Sequence, residues 1–220
     1  MHRLFDMIKL YLDTLDRQRQ AIFTQLQSFK DAWVLGGGTA LALQLGHRKS
    51  FDFDLFSPSP IVRTLYRQVC TVFNESPVKL VDTGDQLTLA MSSGTECTFL
   101  YYWYPAQFSV ISTPSLSLFD KRDIAADKAM TLGRRNVWRD YVDLYVILKY
   151  KHMTLAELIS VAQKKFNNEF SPKLFLEQLS YTDDVRDTSA EWTSGAVDRK
   201  EITDFLEQEA IAYGKRMTLL

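Results

Sequence analysis

The chain has 220 residues but only two cysteines, Cys70 and Cys97, and they lack metal-ligand spacing. Neither a disulfide framework nor a cysteine metal site is expected, and a reducing cytoplasm is the default compartment. There is no run of about 18 apolar residues, so no membrane span is expected. Residues 1–19 carry spaced acidic side chains and no apolar h-region, which argues against a secretion signal. No internal repeat or low-complexity tract is visible. The formal net charge is only −1, so the whole chain shows no bulk excess of either sign.

What is present is ordinary in amount and uneven in placement. Hydrophobic residues make up 46% and charged residues 24%, typical of a globular protein. The length suffices for one sizeable core with a helical subdomain. Between Lys121 and Lys151, eight Lys or Arg face four Asp or Glu, a net of +4. Between Tyr181 and Glu209 the count is three against nine, a net of −6. The basic stretch suits a phosphate-rich ligand, and both stretches also read as solvated helix faces.

The chain is organised around residues 33–57. The apolar run Ala32 to Leu35 predicts a first core strand, and Gly36, Gly37, Gly38 and Thr39 then open a helical stretch that reaches Leu45. Glycine lets the backbone turn sharply and lets a ligand approach its N–H groups. A hydroxyl at a helix start can cap it, and the unpaired N–H groups there attract phosphate. Downstream, Phe51 to Phe56 alternates apolar and acidic residues and reads as a strand. Alternation puts Asp52 and Asp54 on one face, with Cα atoms about 6.6 Å apart. Two such carboxylates repel unless a cation lies between them, and Mg²⁺ suits oxygen ligands completed by phosphate. Taken singly, a triple glycine is usually a turn and Asp-x-Asp usually a solvated edge. Their succession is what points to a nucleotidyl-transfer centre. His47, Arg48 and Lys49 precede the acidic strand and read either as phosphate contacts or as a charged surface loop.

The other segments alternate between packing elements. Leu4, Ile8, Leu12 and Leu15 share one helical face within residues 3–16, and Ile22, Leu26 and Phe29 continue the period. Val62 to Phe73 predicts a helix. Val78 to Val81, Gln86 to Met91 and Glu96 to Tyr102 predict a three-strand meander. The aromatic run from Phe99 to Tyr104 reads as core and rim, with base stacking as the alternative. Residues 123–133 predict a helix ended by Gly133, with Lys128 near its apolar seam. A lysine there needs an anionic partner. Asp140 lies near the start of the next helix, where negative charge is favourable, and Lys128 or Arg134 would pair with it. Thr154 and Glu157 form a capping box for a helix from Leu155 to Phe166. Ser171 and Pro172 open another, running to Leu179. Residues 182–195 predict a loop, and Arg199 to Lys215 a final amphipathic helix.

The segments Leu35 to Leu43 and Gly46 to Ser57 together resemble the AbiEii/AbiGii-type nucleotidyltransferases of the polymerase β-like superfamily, which include toxins of bacterial toxin–antitoxin pairs. Asp123 to Met130, Arg134 and Arg135, and Arg139 to Tyr145 resemble that family's second motif. The resemblance covers about residues 15–150. It implies an α+β fold, a polymerase β-like nucleotidyltransferase core with a mixed sheet plus a helical C-terminal part. We expect the core in residues 1–110 and the helical part in 111–220. It further implies that Gly37, Gly38 and Thr39 hold the β- and γ-phosphates of a nucleoside triphosphate. Asp52 and Asp54 would hold Mg²⁺ or Mn²⁺, with Glu96 as a further candidate ligand. Lys128 would neutralise the triphosphate, assisted by an arginine such as Arg134, and Asp140 joins the catalytic set. The family often carries a third carboxylate on the last meander strand, where this chain has Thr98. The expected reaction moves a nucleoside monophosphate to an acceptor hydroxyl, with an RNA end such as that of tRNA as acceptor and a cognate antitoxin as partner. The rivals are a degenerate nucleotide- or partner-binding protein and a transferase for protein or small-molecule hydroxyls.

Overall fold

The computed structural model describes residues 9–132, 134–135, 137–185 and 189–218. By its contacts the chain divides into two compact units: residues 1–105 with 109–120, and residues 106–108 with 121–220.

The first unit is built on a five-stranded mixed sheet ordered β1-β2-β5-β4-β3. Its strands are β1 (Val34–Leu35), β2 (Phe53–Ser57), β3 (Val78–Asp82), β4 (Gln86–Ala90) and β5 (Glu96–Tyr101). The strands β3, β4 and β5 form the expected antiparallel meander. β2 runs parallel to β5, which makes the sheet mixed. Its helices are α1 (Arg17–Gln25), α2 (Gly37–Leu45) and α3 (Leu65–Phe73). Leu12–Thr14 forms a 3-10 turn where the N-terminal helical period ends, and residues 3–8 of that expectation lie outside the described residues. Asp16 caps α1 by accepting the Arg19 N–H at 2.9 Å.

Alternation along the strands decides the faces. Phe53, Leu55, Leu87, Leu89, Cys97 and Phe99 are buried on one side. There the Phe23 ring stacks on Phe53, while Phe29 and Trp33 meet Phe99 edge to face. Asp54 and Thr98 are cross-strand partners on the other side. The acidic strand starts two residues later than its alternation suggests, so Asp52 stands just ahead of β2.

The second unit holds the helices α4 (Lys121–Thr131), α5 (Trp138–Lys149), α6 (Leu155–Phe166), α7 (Pro172–Ser180) and α8 (Arg199–Thr218). The capping box at Thr154 and Glu157 is formed, and α6 has the predicted bounds. Ser171 accepts the Leu174 N–H with Pro172 in the first turn of α7. Gly133, the expected end of the first of these helices, lies outside the described residues. Among the described residues, no helix is long and apolar enough to cross a membrane.

Candidate nucleotidyl-transfer site

The start of α2 is where the sequence motif becomes geometry. Gly36 is its N-cap residue and offers no side-chain bond. Gly37 has φ +61°, a left-handed conformation that glycine adopts without a Cβ penalty. The first return bond runs from the Ala40 N–H to the Gly36 carbonyl at 3.2 Å. The N–H groups of Gly37, Gly38 and Thr39 therefore precede the intrahelical ladder, and they carry the positive end of the helix dipole.

The strand β2 supplies the acid directly against this turn. The Gly36 N–H donates to the Asp54 carbonyl at 2.9 Å. A Cβ added at Gly37 would stand on the Asp54 carboxylate, with Asp54 Cγ only 3.1 Å away. Asp52 Oδ1 accepts the Glu96 N–H at 3.1 Å, so the second acid is fixed to the edge of β5. Arg19 Nε donates to the Phe51 carbonyl at 2.7 Å and holds the entry to the strand. The buried Cys97 thiol is pushed up to about 12, chiefly by burial and then by the negative charges of Asp52 and Asp54.

Thr39 does not cap α2. It lies in the first turn, 2% exposed, and its hydroxyl donates to the Asp52 carbonyl. The Ser50 hydroxyl meets it at 2.7 Å. It thus ties α2 to the acidic segment, a role that its side chain can fill only because α2 and residues 50–52 pack together. Ser50 escaped the sequence reading, which had no signal for that contact. Thr98 faces Asp54 across the ladder, and its hydroxyl lies 3.2 Å from that of Thr88.

A divalent cation is tested by the donor set. Asp52 and Asp54 offer hard carboxylate oxygens, Asp54 beside a glycine turn that a Cβ would fill, which fits Mg²⁺ completed by phosphate oxygens. Among the described residues no group of three or more His, Cys, Asp or Glu is arranged to hold a metal. Glu96, an exposed residue, is therefore not gathered with the pair into such a group.

In the second unit, Lys128 lies 5% exposed with Nζ 2.5 Å from Asp140 and 2.9 Å from Asp143. The lysine has found the anionic partner its position demanded, twice over. Asp140 thus has Lys128, one of its two expected partners, and also receives Arg135 Nε at 2.9 Å. Arg134 is exposed and reaches the Met130 sulfur at 3.7 Å. A second buried lysine was missed by the sequence reading. Lys165 pairs with Asp123 at 3.1 Å and Asp127 at 2.7 Å. Asp123 in turn accepts the Gln107 N–H at 2.9 Å and the Phe108 N–H at 3.0 Å. All four acids of the basic stretch are thus turned into internal ion pairs, while Arg134, Arg135, Lys149 and Lys151 stay exposed.

Comparison with known proteins agrees with this geometry. A family model described as nucleotidyl transferase AbiEii toxin, Type IV TA system, matches residues 20–209. The uncharacterised protein aq_aa25 of Aquifex aeolicus is 30% identical over 161 residues, covering 70% of this chain and 76% of that protein. The structure of JHP933 from Helicobacter pylori is similar in fold, with a TM-score of 0.57 and 19% identity, covering 93% of this chain and 95% of that one. MenT4, a nucleotidyltransferase toxin from Mycobacterium tuberculosis, has a TM-score of 0.59 and 16% identity, covering 86% of this chain and 80% of that one. With the glycine turn and the Asp52–Asp54 pair lying inside the matched residues, the chain belongs to the AbiEii nucleotidyl transferase toxin family and is a nucleotidyltransferase.

Proposed function

We propose that the protein transfers a nucleoside monophosphate from a nucleoside triphosphate to a hydroxyl at an RNA end, in a divalent-metal-dependent reaction held in check by a cognate antitoxin. The observation that carries this reading is the contact between Gly37 and Asp54, which sets one carboxylate of the pair against the start of α2. In this reading the N–H groups of Gly37, Gly38 and Thr39 bind the β- and γ-phosphates. Asp52 and Asp54 would hold Mg²⁺, which supplies charge stabilisation to the attacking and leaving oxygens. The Thr39 hydroxyl keeps Asp52 in register with the helix.

Thr98 offers no carboxylate opposite Asp54, so the proton of the acceptor hydroxyl must go elsewhere. Glu96 lies two residues earlier on that strand face and is our candidate for the base. Lys128 and Asp140 act from within the second unit, where their ion pair holds the corner between α4 and α5 that carries Arg134 and Arg135. The exposed arginines support RNA as the acceptor, because a strand neutralised by several such side chains binds through counterion release.

The test is label transfer from α-labelled nucleoside triphosphates into a mixture of cellular RNA and protein. Label in RNA that disappears in Asp54→Asn, and RNA binding that weakens steeply with salt, are expected. Label confined to protein refutes the RNA acceptor. Nucleotide binding without label in either pool, with Mg²⁺ or Mn²⁺, refutes turnover and turns attention to Thr98.

A further inference from the structure

Arg134 is exposed, and among the described residues it makes no ion pair. Its contact is the weakly accepting sulfur of Met130, 3.7 Å from Nη2. Both side chains line a pocket of about 140 Å³ between the end of α4 and the start of α7. We propose that this pocket takes one nucleobase of the acceptor RNA, while Arg134 meets the adjoining phosphate. The proposal rests on the reading of RNA as the acceptor and adds where the strand is held.

Size and lining narrow the occupant. Sites for drug-sized ligands run to about 300–1,000 Å³, so this smaller space admits one ring system or one side chain and not a whole nucleotide. Its walls suit an apolar face. Phe170 and Phe175 are buried in the lining with ring centroids 5.6 Å apart, and Leu174, in the same lining, is 55% exposed. A leucine so placed keeps much of its apolar surface in water, and a base seated against it would remove that cost.

Gln178 supplies the polar edge. Its backbone carbonyl accepts the Tyr141 hydroxyl at 3.3 Å, but its side-chain amide makes no hydrogen bond among the described residues. An amide sets a donor beside an acceptor, the pattern that pairs with N7 and N6 of adenine. An apolar side chain from a protein partner would leave both the amide and the guanidinium without partners. The charge balance also favours RNA. Arg134 and the exposed Lys173, which likewise makes no ion pair among the described residues, outnumber Glu169, the one acid of the lining. Phosphates flanking the base would meet that excess and release counterions.

A short oligoadenylate and an abasic ribose-phosphate strand of equal length separate base from backbone. In fluorescence anisotropy with the full chain, wild type should bind oligoadenylate about tenfold more tightly than the abasic strand, the scale of one base stacked on protein. Leu174→Ala and Gln178→Ala should each weaken oligoadenylate by about threefold to tenfold and leave the abasic strand unchanged. Arg134→Gln should weaken both strands and reduce the slope of log affinity against log salt by about one. Equal wild-type affinity for the two strands, or losses in Leu174→Ala and Gln178→Ala that are absent or equal on both, overturns the base pocket and leaves RNA as the acceptor. A wild-type chain that binds neither strand at low salt overturns the RNA reading and the pocket with it. A crystal of the wild-type chain with oligoadenylate is the second arm, independent of how the variants fold. A base beside Leu174 within hydrogen-bond distance of the Gln178 amide supports the proposal. A strand bound with the pocket empty, or with a protein side chain filling it, refutes it.

Discussion

Replacing Lys128 with methionine removes a buried charge while keeping an apolar stem of similar length. The lysine side chain is 6% exposed, and its partners Asp140 and Asp143 are 1% and 0% exposed. Asp140 keeps Arg135, whose own side chain is 55% exposed, so its charge stays paired. Asp143 loses its ammonium inside the helical unit. Removing one partner of a buried ion pair costs about 3–5 kcal/mol, because the remaining charge is stranded away from water. The retained Arg135 favours the lower end, about 3 kcal/mol. For a chain of this length each kcal/mol moves Tm by about 2–4 °C, so the melting point should fall by about 6–12 °C. Circular dichroism melting of the single variant and of Lys128→Met with Asp143→Asn measures this. The double variant should melt above the single one, since the stranded charge is gone. A single variant that melts within about 2 °C of wild type refutes the reasoning. A double variant no better than the single one shows that Asp143 is not the source of the cost. Tripolyphosphate affinity measured alongside adds a further discrimination: weaker binding at unchanged Tm would mean that the ammonium serves the ligand rather than the helical unit.

Gly37→Ala should cut the transfer rate by about a hundredfold, the usual effect of displacing a reacting group by about 1 Å. The new Cβ would push the Asp54 carboxylate aside and add about 1–2 kcal/mol of left-handed strain at φ +61°; unchanged initial rates in a folded variant refute it. Cys97, with its thiol pushed up to about 12, stays protonated in the folded protein while the unfolded chain ionises near its ordinary value. That group therefore destabilises the fold as pH rises above about 9, by up to about 1.4 kcal/mol per pH unit, and the native thiol should resist alkylation at pH 8 until urea is added. Thr154→Ala removes the hydroxyl that accepts the Glu157 N–H in the α6 capping box, leaves the backbone bond to the Glu157 carboxylate, and should cost about 1 kcal/mol, seen as a small drop in Tm at unchanged transfer rate.

Local rules and long-range pairing were unequally legible in the chain. The capping box at Thr154, the Pro172 start and the separators of the meander each act within a few residues, and the helices and strands they predict are present. The glycine turn also reads locally, because a left-handed Gly37 needs no partner to be recognised. Asp52 misled by one residue: alternation placed it in the strand, but its backbone carbonyl is taken by Thr39, so the ladder begins at Phe53. The buried charges were harder still. That Lys128 needs an anion followed from its apolar seam, yet the helix-start argument named only Asp140 and not Asp143. Lys165 meets Asp123 across 42 residues of sequence, a distance over which no helical or strand period operates. Arg48 shows the same limit from the other side. Flanked by His47 and Lys49 it reads as one more basic loop residue, and what distinguishes it is the missing Cβ of Gly38, ten residues earlier. A glycine signals where something must approach closely, but it does not say what. In this chain the three glycines admit an aromatic ring, a carboxylate and a guanidinium in turn. Only the two charged neighbours give the turn a chemistry, and their identities follow from how β2 and the loop before it pack against α2.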